Sequence, residues 1–136
     1  MIRFETVGMI EVAKNNPVLT SDSDVTNYSF ITVDGDLYLV MNVIIGDDAY
    51  VEDAVIPAGE YLNGFLVEAW KSQKLVVDGK HITGGIEAAT KDATLVAGSD
   101  GKLAAGSAPD SGVYFKVTDT GVTLTEPAVK VKVCVA

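Results

Sequence analysis

The sequence is poor in the side chains that most often carry chemistry. Its 136 residues include one cysteine (Cys134), one histidine (His81) and one tryptophan (Trp70). A single cysteine excludes a disulfide within the chain and agrees with a reducing compartment. A zinc site needs several cysteine or histidine ligands, and the sequence has two such residues in all. We therefore predict neither a disulfide scaffold nor a zinc site.

Long apolar runs are also missing. The longest apolar-rich run, residues 37–45, is interrupted by Asn42 and is far too short to span a bilayer. The first residues, Met1 to Thr6, lack the apolar stretch of a signal peptide. We therefore expect a protein that is made soluble and is not exported.

Basic residues are outnumbered by acidic ones. Ten lysine and arginine residues stand against nineteen aspartate and glutamate residues, which gives a formal net charge of −9. Because an acidic surface repels phosphate groups, we expect no binding to nucleic acid or to anionic membranes. The aromatic residues are not interleaved with basic ones, which argues against a stacking platform for single strands.

Motifs for catalysis or phosphate binding are lacking. Nucleophilic catalysis needs an activated nucleophile beside a base. His81 follows a predicted turn and Cys134 lies on the polar face of a predicted strand, so we expect a surface histidine and a half-buried thiol. Residues 98–102 (GSDGK) lack the spacing of a phosphate-binding loop. The sequence predicts no enzyme activity, no catalytic residues and no cofactor.

Carboxylates occur in dense groups, for which two functional alternatives stay open. They could form an acid–base pair or hold Ca²⁺ through oxygen ligands. Residues 34–36 lack the remaining spacing of an EF-hand loop. In a chain this acidic, charged loops are the preferred interpretation, and we predict no metal site. The candidate carboxylates are Asp22, Asp24, Asp47, Asp48, Glu52 and Asp53.

Turn residues divide the chain into short β-forming runs. Asp-Gly pairs at 34–35 and 78–79 each separate two such runs, and a type I′ turn needs the positive φ that Asp and Gly tolerate. We predict hairpins over 28–45 and 74–83, a third hairpin over 113–125 around residues 119–121, and a turn at 100–101. Strands are predicted at 2–6, 9–13, 49–54, 94–97 and 128–135, a break at 14–17 and a polar loop over 19–27.

Residues 61–70 fit both a helical stripe and strand alternation. Gly64 weakens a helix by about 1 kcal/mol relative to alanine, so we predict a strand in which Trp70 anchors the core. At most one short helix is expected, around 86–92, and the small residues of 98–112 predict a surface loop or arm. The whole chain, residues 1–136, is therefore predicted to be one all-β domain. Its short antiparallel strands form a β-sandwich or barrel.

Four segments together resemble the small head-decoration, or capsid-stabilising, proteins of tailed bacteriophages. The resemblance lies in the general pattern of the segments, so no site residue is transferred. The segments are MIRFETV (1–7), IPAGEYLNGF (56–65), VAGSDGKLAAGSAPDSG (96–112) and GVYFKVTDTGVTLTEPAVKVKV (112–133).

The resemblance implies a structural virion protein that binds the outside of a phage capsid. Such a protein stabilises the capsid by clamping neighbouring capsid subunits, and its partner is the major capsid protein. The resemblance also implies a homo-oligomer, a trimer at local threefold positions, that is made in the host cytoplasm and added to the virion. Residues 98–112 and the N-terminal segment are then expected to be the contacting arms.

Other functions remain open at this point. A phage tail or baseplate β-domain would share the composition but form rings or tubes. A carbohydrate-binding or adhesive Ig-like module requires an exposed aromatic platform, with Tyr50, Tyr61 and Trp70 as candidates, whereas the decoration function predicts a buried Trp70. A small enzyme would require a pocket that unites His81 with carboxylates.

Overall fold

Two facing β-sheets make up most of the protein. The computed structural model describes residues 2–5, 15–42, 54–124 and 126–136. The strands are β1 (Ile2–Phe4), β2 (Asn15–Leu19), β3 (Val25–Thr26), β4 (Phe30–Val33), β5 (Asp36–Val40), β6 (Val55–Ile56), β7 (Leu62–Leu66), β8 (Lys74–Asp78), β9 (Thr94–Ala97), β10 (Leu103–Ala105), β11 (Val113–Thr123) and β12 (Pro127–Val135). The larger sheet has the order β1-β8-β12-β11-β9-β10, and the smaller sheet has the order β2-β7-β5-β4.

The inner faces of the two sheets share one apolar core. Phe30 of β4 meets Phe115 of β11 edge to face, with ring centroids 5.2 Å apart. Side chains from both sheets join this cluster because alternate residues of each strand point inward. The prediction of an all-β domain built as a sandwich of short antiparallel strands is confirmed.

The smaller sheet also carries apolar side chains on its outer face. Val40 of β5 and Leu62 of β7 lie in a second buried cluster with Val25 and Ile56. The last two residues belong to β3 and β6, which pair only with each other. This short ribbon therefore covers part of the outer face of the smaller sheet.

The Asp34-Gly35 turn forms as its sequence requires. Val33 and Asp36 are register partners, so two residues connect β4 to β5. Asp34 has φ of 51° and Gly35 has φ of 85°, the positive values that a type I′ turn demands at both positions. The β4–β5 part of the predicted hairpin is confirmed, and residues 43–45 lie outside the described part of the chain.

The predicted Asp78-Gly79 hairpin is wrong. Strand β8 pairs with β1 on one side and with β12 on the other, so neither edge is free for residues 80–83. Asp78 has extended backbone angles, and the chain continues into a short 3-10 helix, Gly79–His81. The Asp-Gly pair favours a turn locally, but β1 and β12, which are distant in sequence, pair with both edges of β8. No edge of β8 is left for a hairpin partner.

The predicted hairpin around residues 119–121 is also wrong. Strand β11 runs without a break from Val113 to Thr123 beside β12. The register shifts between Val117 and Val122, and Gly121 accommodates the irregularity with φ of 71°. These residues make a bulge within a long strand, and the chain reverses only after Thr123.

Residues 61–70 divide between two structures. Leu62–Leu66 is strand β7, as predicted, whereas Val67–Trp70 forms one 3-10 turn. Trp70 is 0% exposed and packs near Phe65, which confirms that it anchors the core. Glycine at position 64 allows close packing, because an added Cβ would collide with the end of the Leu19 side chain and approach Tyr38 at 3.2 Å.

Several smaller predictions need correction. Residues 15–17 belong to β2 and do not break the chain, because β7 supplies hydrogen-bond partners. The 19–27 loop contains β3, the 98–112 loop contains β10, and the predicted helix shrinks to the 3-10 turn Ile86–Ala88. The strands at the N-terminus, at 94–97 and at the C-terminus are confirmed. Residues 9–13 and 49–53 lie outside the described residues.

Candidate functional site

The last residue of β8 and the single histidine form a buried polar pair. Asp78 is 0% exposed and His81 is 7% exposed. The Asp78 side chain accepts a hydrogen bond of 3.2 Å from the backbone N–H of Lys80 and so caps the helix Gly79–His81. This helix brings Nε2 of His81 to 3.9 Å from Oδ1 of Asp78. The expectation of a surface histidine is wrong, because the capped turn folds the imidazole inward.

Tyr28 covers another side of His81. The two ring centroids are 5.7 Å apart, and Tyr28 has a positive φ of 63°. Its N–H donates to the carbonyl of Val40 at 2.8 Å. The neighbouring Asn27 is buried, and it accepts from the N–H of Asn42 at 2.8 Å and donates to the carbonyl of Asn42 at 3.0 Å. These bonds fix the wall that faces the histidine.

A cleft of about 250 Å³ opens beside the Asp78–His81 pair. Residues 26–29 form one wall, Lys80 and His81 another, and the turn 100–102 a third. Phe30 donates its N–H to the carbonyl of Gly101 at 2.9 Å. A Cβ at position 101 would lie 2.9 Å from the Ser29 side chain, so this turn sits directly on Ser29. Backbone hydrogen bonds therefore hold the walls formed by residues 26–29 and by the turn 100–102.

The geometry of the Asp78–His81 contact differs from that of a base activated by a carboxylate. An activating hydrogen bond between a base and its orienting carboxylate has a length of about 2.6–3.2 Å, and the observed separation is 3.9 Å. The Asp78 side chain also caps the helix that carries His81, because it accepts the hydrogen bond from the N–H of Lys80. The cleft thus brings His81 near two carboxylates: Asp78, which caps the helix Gly79–His81, and Asp100, which lines the cleft and accepts a hydrogen bond of 3.0 Å from the N–H of Lys102.

Cys134 and His81 lie at opposite ends of the larger sheet. Ala128 is the register partner of Asp78, and Cys134 lies six residues further along β12. At about 3.3 Å per strand residue, this separation is about 20 Å. The thiol is half-buried, as predicted, and its Sγ donates to the carbonyl of Lys132 at 3.7 Å. The two residues cannot form a nucleophile–base pair.

The described candidate carboxylates lie on exposed loops. Asp22 and Asp24 are exposed, and Asp24 accepts a hydrogen bond of 3.0 Å from the N–H of Ala58. Within the described ranges, no group of three or more histidine, cysteine or carboxylate side chains could hold a metal ion. The remaining candidates, Asp47, Asp48, Glu52 and Asp53, lie outside those ranges.

Two large apolar side chains are exposed in the described part of the chain. Tyr61 is 68% exposed and Val55 is 58% exposed. They flank the sharp turn of the IPAGEY sequence, and residues 57–60 between them are exposed as well. We call residues 55–61 the Tyr61 turn. An exposed tyrosine beside small apolar residues is a common anchor in protein–protein contacts.

Hydrogen bonds at several points hold the Tyr61 turn. Gly59 donates its N–H to the carbonyl of Ser21 at 2.9 Å, and Glu60 donates to Pro57 at 3.2 Å. The carbonyl of Tyr61 accepts from the side chain of Asn42 at 3.1 Å. The turn therefore presents Tyr61 from a fixed backbone, which lowers the entropic cost of a contact made there.

Comparison of the chain with protein-family models, curated proteins and solved structures finds no match. In the described residues, no helix has the length and apolarity needed to cross a membrane.

The partners of His81 and the exposure of the Tyr61 turn were not predicted from the sequence. Asp78 precedes a glycine, a lysine and the histidine, and an aspartate at that position is also a typical cap. That alternative interpretation of the Asp-Gly pair would have predicted the short helical turn that carries His81. The exposure of Tyr61 had no sequence signal, because the same residues fit a buried strand.

Proposed function

We propose that the chain is a structural β-sandwich that binds the outside of a tailed-phage capsid and clamps neighbouring capsid subunits. Its partner is the major capsid protein, and it acts at the virion surface after synthesis in the host cytoplasm. It has no catalytic role and takes no cofactor. The proposal begins from the resemblance of four segments to head-decoration proteins.

The position of the single tryptophan supports this function over sugar binding. A carbohydrate-binding platform needs coplanar aromatic rings at the surface, and Trp70 was a candidate for one of them. Trp70 instead lies in the core between the sheets, near Phe65. Tyr50 lies outside the described residues, and Tyr61 is the one described candidate that is exposed; one ring on a turn is a better match for a protein contact than for a sugar platform.

The Tyr61 turn is the observation that carries the proposal. It combines the two exposed large apolar side chains of the described residues with a backbone held to Ser21 and Asp24. Residues 56–61 of this turn also belong to the segment 56–65, one of the four that resemble head-decoration proteins. We infer that Tyr61 inserts into the surface of a capsid subunit, where burial of its ring supplies much of the affinity.

A phage tail or baseplate domain remains the alternative function. Such a domain would use the same apolar turn between its own copies and would form rings or tubes without a capsid. The two functions differ in what the isolated protein does. A decoration protein binds preformed heads and a tail domain does not, so head binding separates the two functions, whereas self-association is compatible with both.

Binding to heads tests the proposal directly. The purified protein is mixed with empty heads of the phage that encodes it and is separated on a gradient. We expect the wild-type protein to sediment with the heads at saturation and Tyr61→Ala to lose at least about tenfold in affinity, as for an interface anchor. Tyr61→Phe keeps the ring and should bind like the wild type. A wild-type protein that stays at the top of the gradient would overturn the proposal.

A further inference from the structure

Half of the basic residues of this acidic protein lie on one surface. They alternate with core residues along β1, β8, β11 and β12; Lys116, for example, stands between buried Phe115 and Val117. Because successive strand residues point to opposite faces, all five project from the outer face of the larger sheet. These residues, Arg3, Lys74, Lys116, Lys130 and Lys132, are named the basic face.

Three lysines of the basic face form a row across adjacent strands. Lys132 of β12 is the register partner of Lys74 on β8 and of Lys116 on β11. Directly opposed side chains in an antiparallel pair have Cβ atoms about 4.5–5.5 Å apart, and like charges at that position destabilise the sheet. Folding alone would favour a carboxylate or a neutral residue at the centre of this row.

Carboxylates of the described residues pair with two of the five residues of the basic face. Lys74 contacts Asp119 at 3.4 Å, and Lys130 contacts Glu5 at 3.1 Å. Lys116 and Lys132 are exposed and form no ion pair with any carboxylate of the described residues. The centre of the basic face thus keeps its positive charge.

The remaining surface has the opposite character. Outside the basic face and its two ion-paired carboxylates, and without the buried Asp78, the described residues contain four lysines against eleven acidic residues, a net charge of −7. Asp34 and Asp36 at the β4–β5 turn, and Asp22 and Asp24 in the 19–27 loop, are among these exposed acids. We call the exposed described residues outside the basic face the acidic surface, so a single copy carries two regions of opposite net charge.

We propose that the basic face is a self-association surface that docks on the acidic surface of a second copy of this chain. The contact joins two different surfaces, because apposing two basic faces would set lysine rows against each other. Repeated contacts of this kind close into a ring or extend into a filament. The inference goes beyond the proposed function, since it concerns the isolated protein and requires no capsid.

A compact acidic surface suits the basic face better than an extended polyanion does. The face is flanked by a molecule with net charge −9, which repels any phosphate backbone that runs past it. A second copy can place carboxylates against the lysine row without extending past it onto the acidic part of the molecule. At about 150 mM salt the Debye length is about 8 Å, so the general repulsion between copies is screened while direct contacts persist.

Charge reversal within the basic face tests this proposal. Lys116→Glu/Lys132→Glu is compared with the wild type by sedimentation equilibrium over a range of protein concentrations. The control, Lys71→Glu/Lys91→Glu, changes the net charge equally at two exposed lysines in turns. We expect the wild type and the control to self-associate, and the basic-face variant to associate about tenfold more weakly or not at all.

Zero-length crosslinking identifies the contact itself. A carbodiimide is applied to a mixture of unlabelled and ¹⁵N-labelled protein, and peptides that join the two isotopes are mapped. Crosslinks from Lys116 or Lys132 to carboxylates of the other copy are expected.

Folding of the basic-face variant is not a confounding factor. The double variant sets two glutamates opposite each other on β11 and β12 in place of two lysines, while the glutamate at position 132 faces Lys74 favourably, so the melting temperature should stay close to that of the wild type.

Three outcomes would overturn the proposal. The wild type could remain monomeric at every concentration, or the control variant could lose association as completely as the basic-face variant. Alternatively, Lys116→Glu/Lys132→Glu could self-associate as strongly as the wild type and instead lose binding to a short DNA duplex that the wild type binds, which would assign the basic face to nucleic acid. Each result is separate from binding to heads, so the two proposals can fail independently.

Discussion

Lys132 lies directly across from Lys116 on the neighbouring strand, and no carboxylate of the described residues pairs with either. Because like charges in register oppose sheet formation, Lys132→Glu should raise the free energy of unfolding by about 0.2–1 kcal/mol. Urea denaturation of the variant and of Lys91→Glu, which changes the same charge in an exposed turn, checks this. A variant that is less stable than the control would show that the lysine row carries no repulsion.

The absence of a Cβ at position 64 allows β7 to pack closely against its neighbours. An added methyl group would collide with Leu19 and lie 3.2 Å from Tyr38. We expect Gly64→Ala to cost about 1–3 kcal/mol of stability through overpacking. Gly106→Ala is the control, because its Cβ would meet only the end of the Val96 side chain, at 3.1 Å. Equal stability of the two variants in thermal denaturation would contradict this assignment.

Local chemistry predicted the fold class and some of its turns, but it could not predict which strands pair. Asp34-Gly35 forms its hairpin because both residues adopt the required positive φ and the two flanking strands are free to pair. Asp78-Gly79 carries the same signal, but β1 and β12 occupy both edges of β8. The difference comes from strands far away in sequence, so no local pattern could reveal it.

The buried carboxylate of Asp78 should contribute substantially to stability. It caps the helix Gly79–His81 and lies 3.9 Å from His81. Asp78→Ala removes the acceptor for the Lys80 N–H in a buried place, at an expected cost of about 1–3 kcal/mol. Asp78→Asn keeps a carbonyl oxygen for the cap and should lose less. Chemical denaturation measures both variants, with Asp110→Ala as the exposed control, and an Asp78→Ala protein as stable as wild type would refute the structural role.

The candidate site was less predictable than the fold. The side chains around His81 come from residues 26–29, 78–81 and 100–102, and only the arrangement of both sheets brings them together. The basic face was likewise not predictable from the sequence. The alternation of Lys130 and Lys132 is visible in the sequence, but the register with Lys74 and Lys116 is visible only in the folded sheet.

The Thr118 hydroxyl controls the ionisation of Asp119. It donates a hydrogen bond of 2.8 Å to Asp119 Oδ2. This bond is the main reason why the pKa of Asp119 lies below its ordinary value; desolvation opposes it, and the charge of Lys74 assists it. Thr118→Val should therefore raise the pKa of Asp119, as measured by NMR titration of the carboxyl carbon.

The sign of the pH dependence follows from the lowered pKa of Asp119. The ionised carboxylate stabilises the fold at pH values above its ordinary pKa, and this contribution is lost as the pH falls through the lower folded pKa. Thr118→Ser keeps the hydroxyl and should leave the titration unchanged. If Thr118→Val titrates like the wild type, the hydrogen bond is not the cause of the shift.

The stability of phage heads tests the central claim most directly. Empty heads of the phage that encodes the chain are heated with and without saturating protein, and the temperature at which they break open is recorded by light scattering. A protein that clamps capsid subunits raises this temperature, because binding to the assembled state stabilises that state. The increase should saturate at a fixed number of copies per head and should be much smaller with Tyr61→Ala. Heads that break open at the same temperature with saturating wild-type protein as without it would contradict the account.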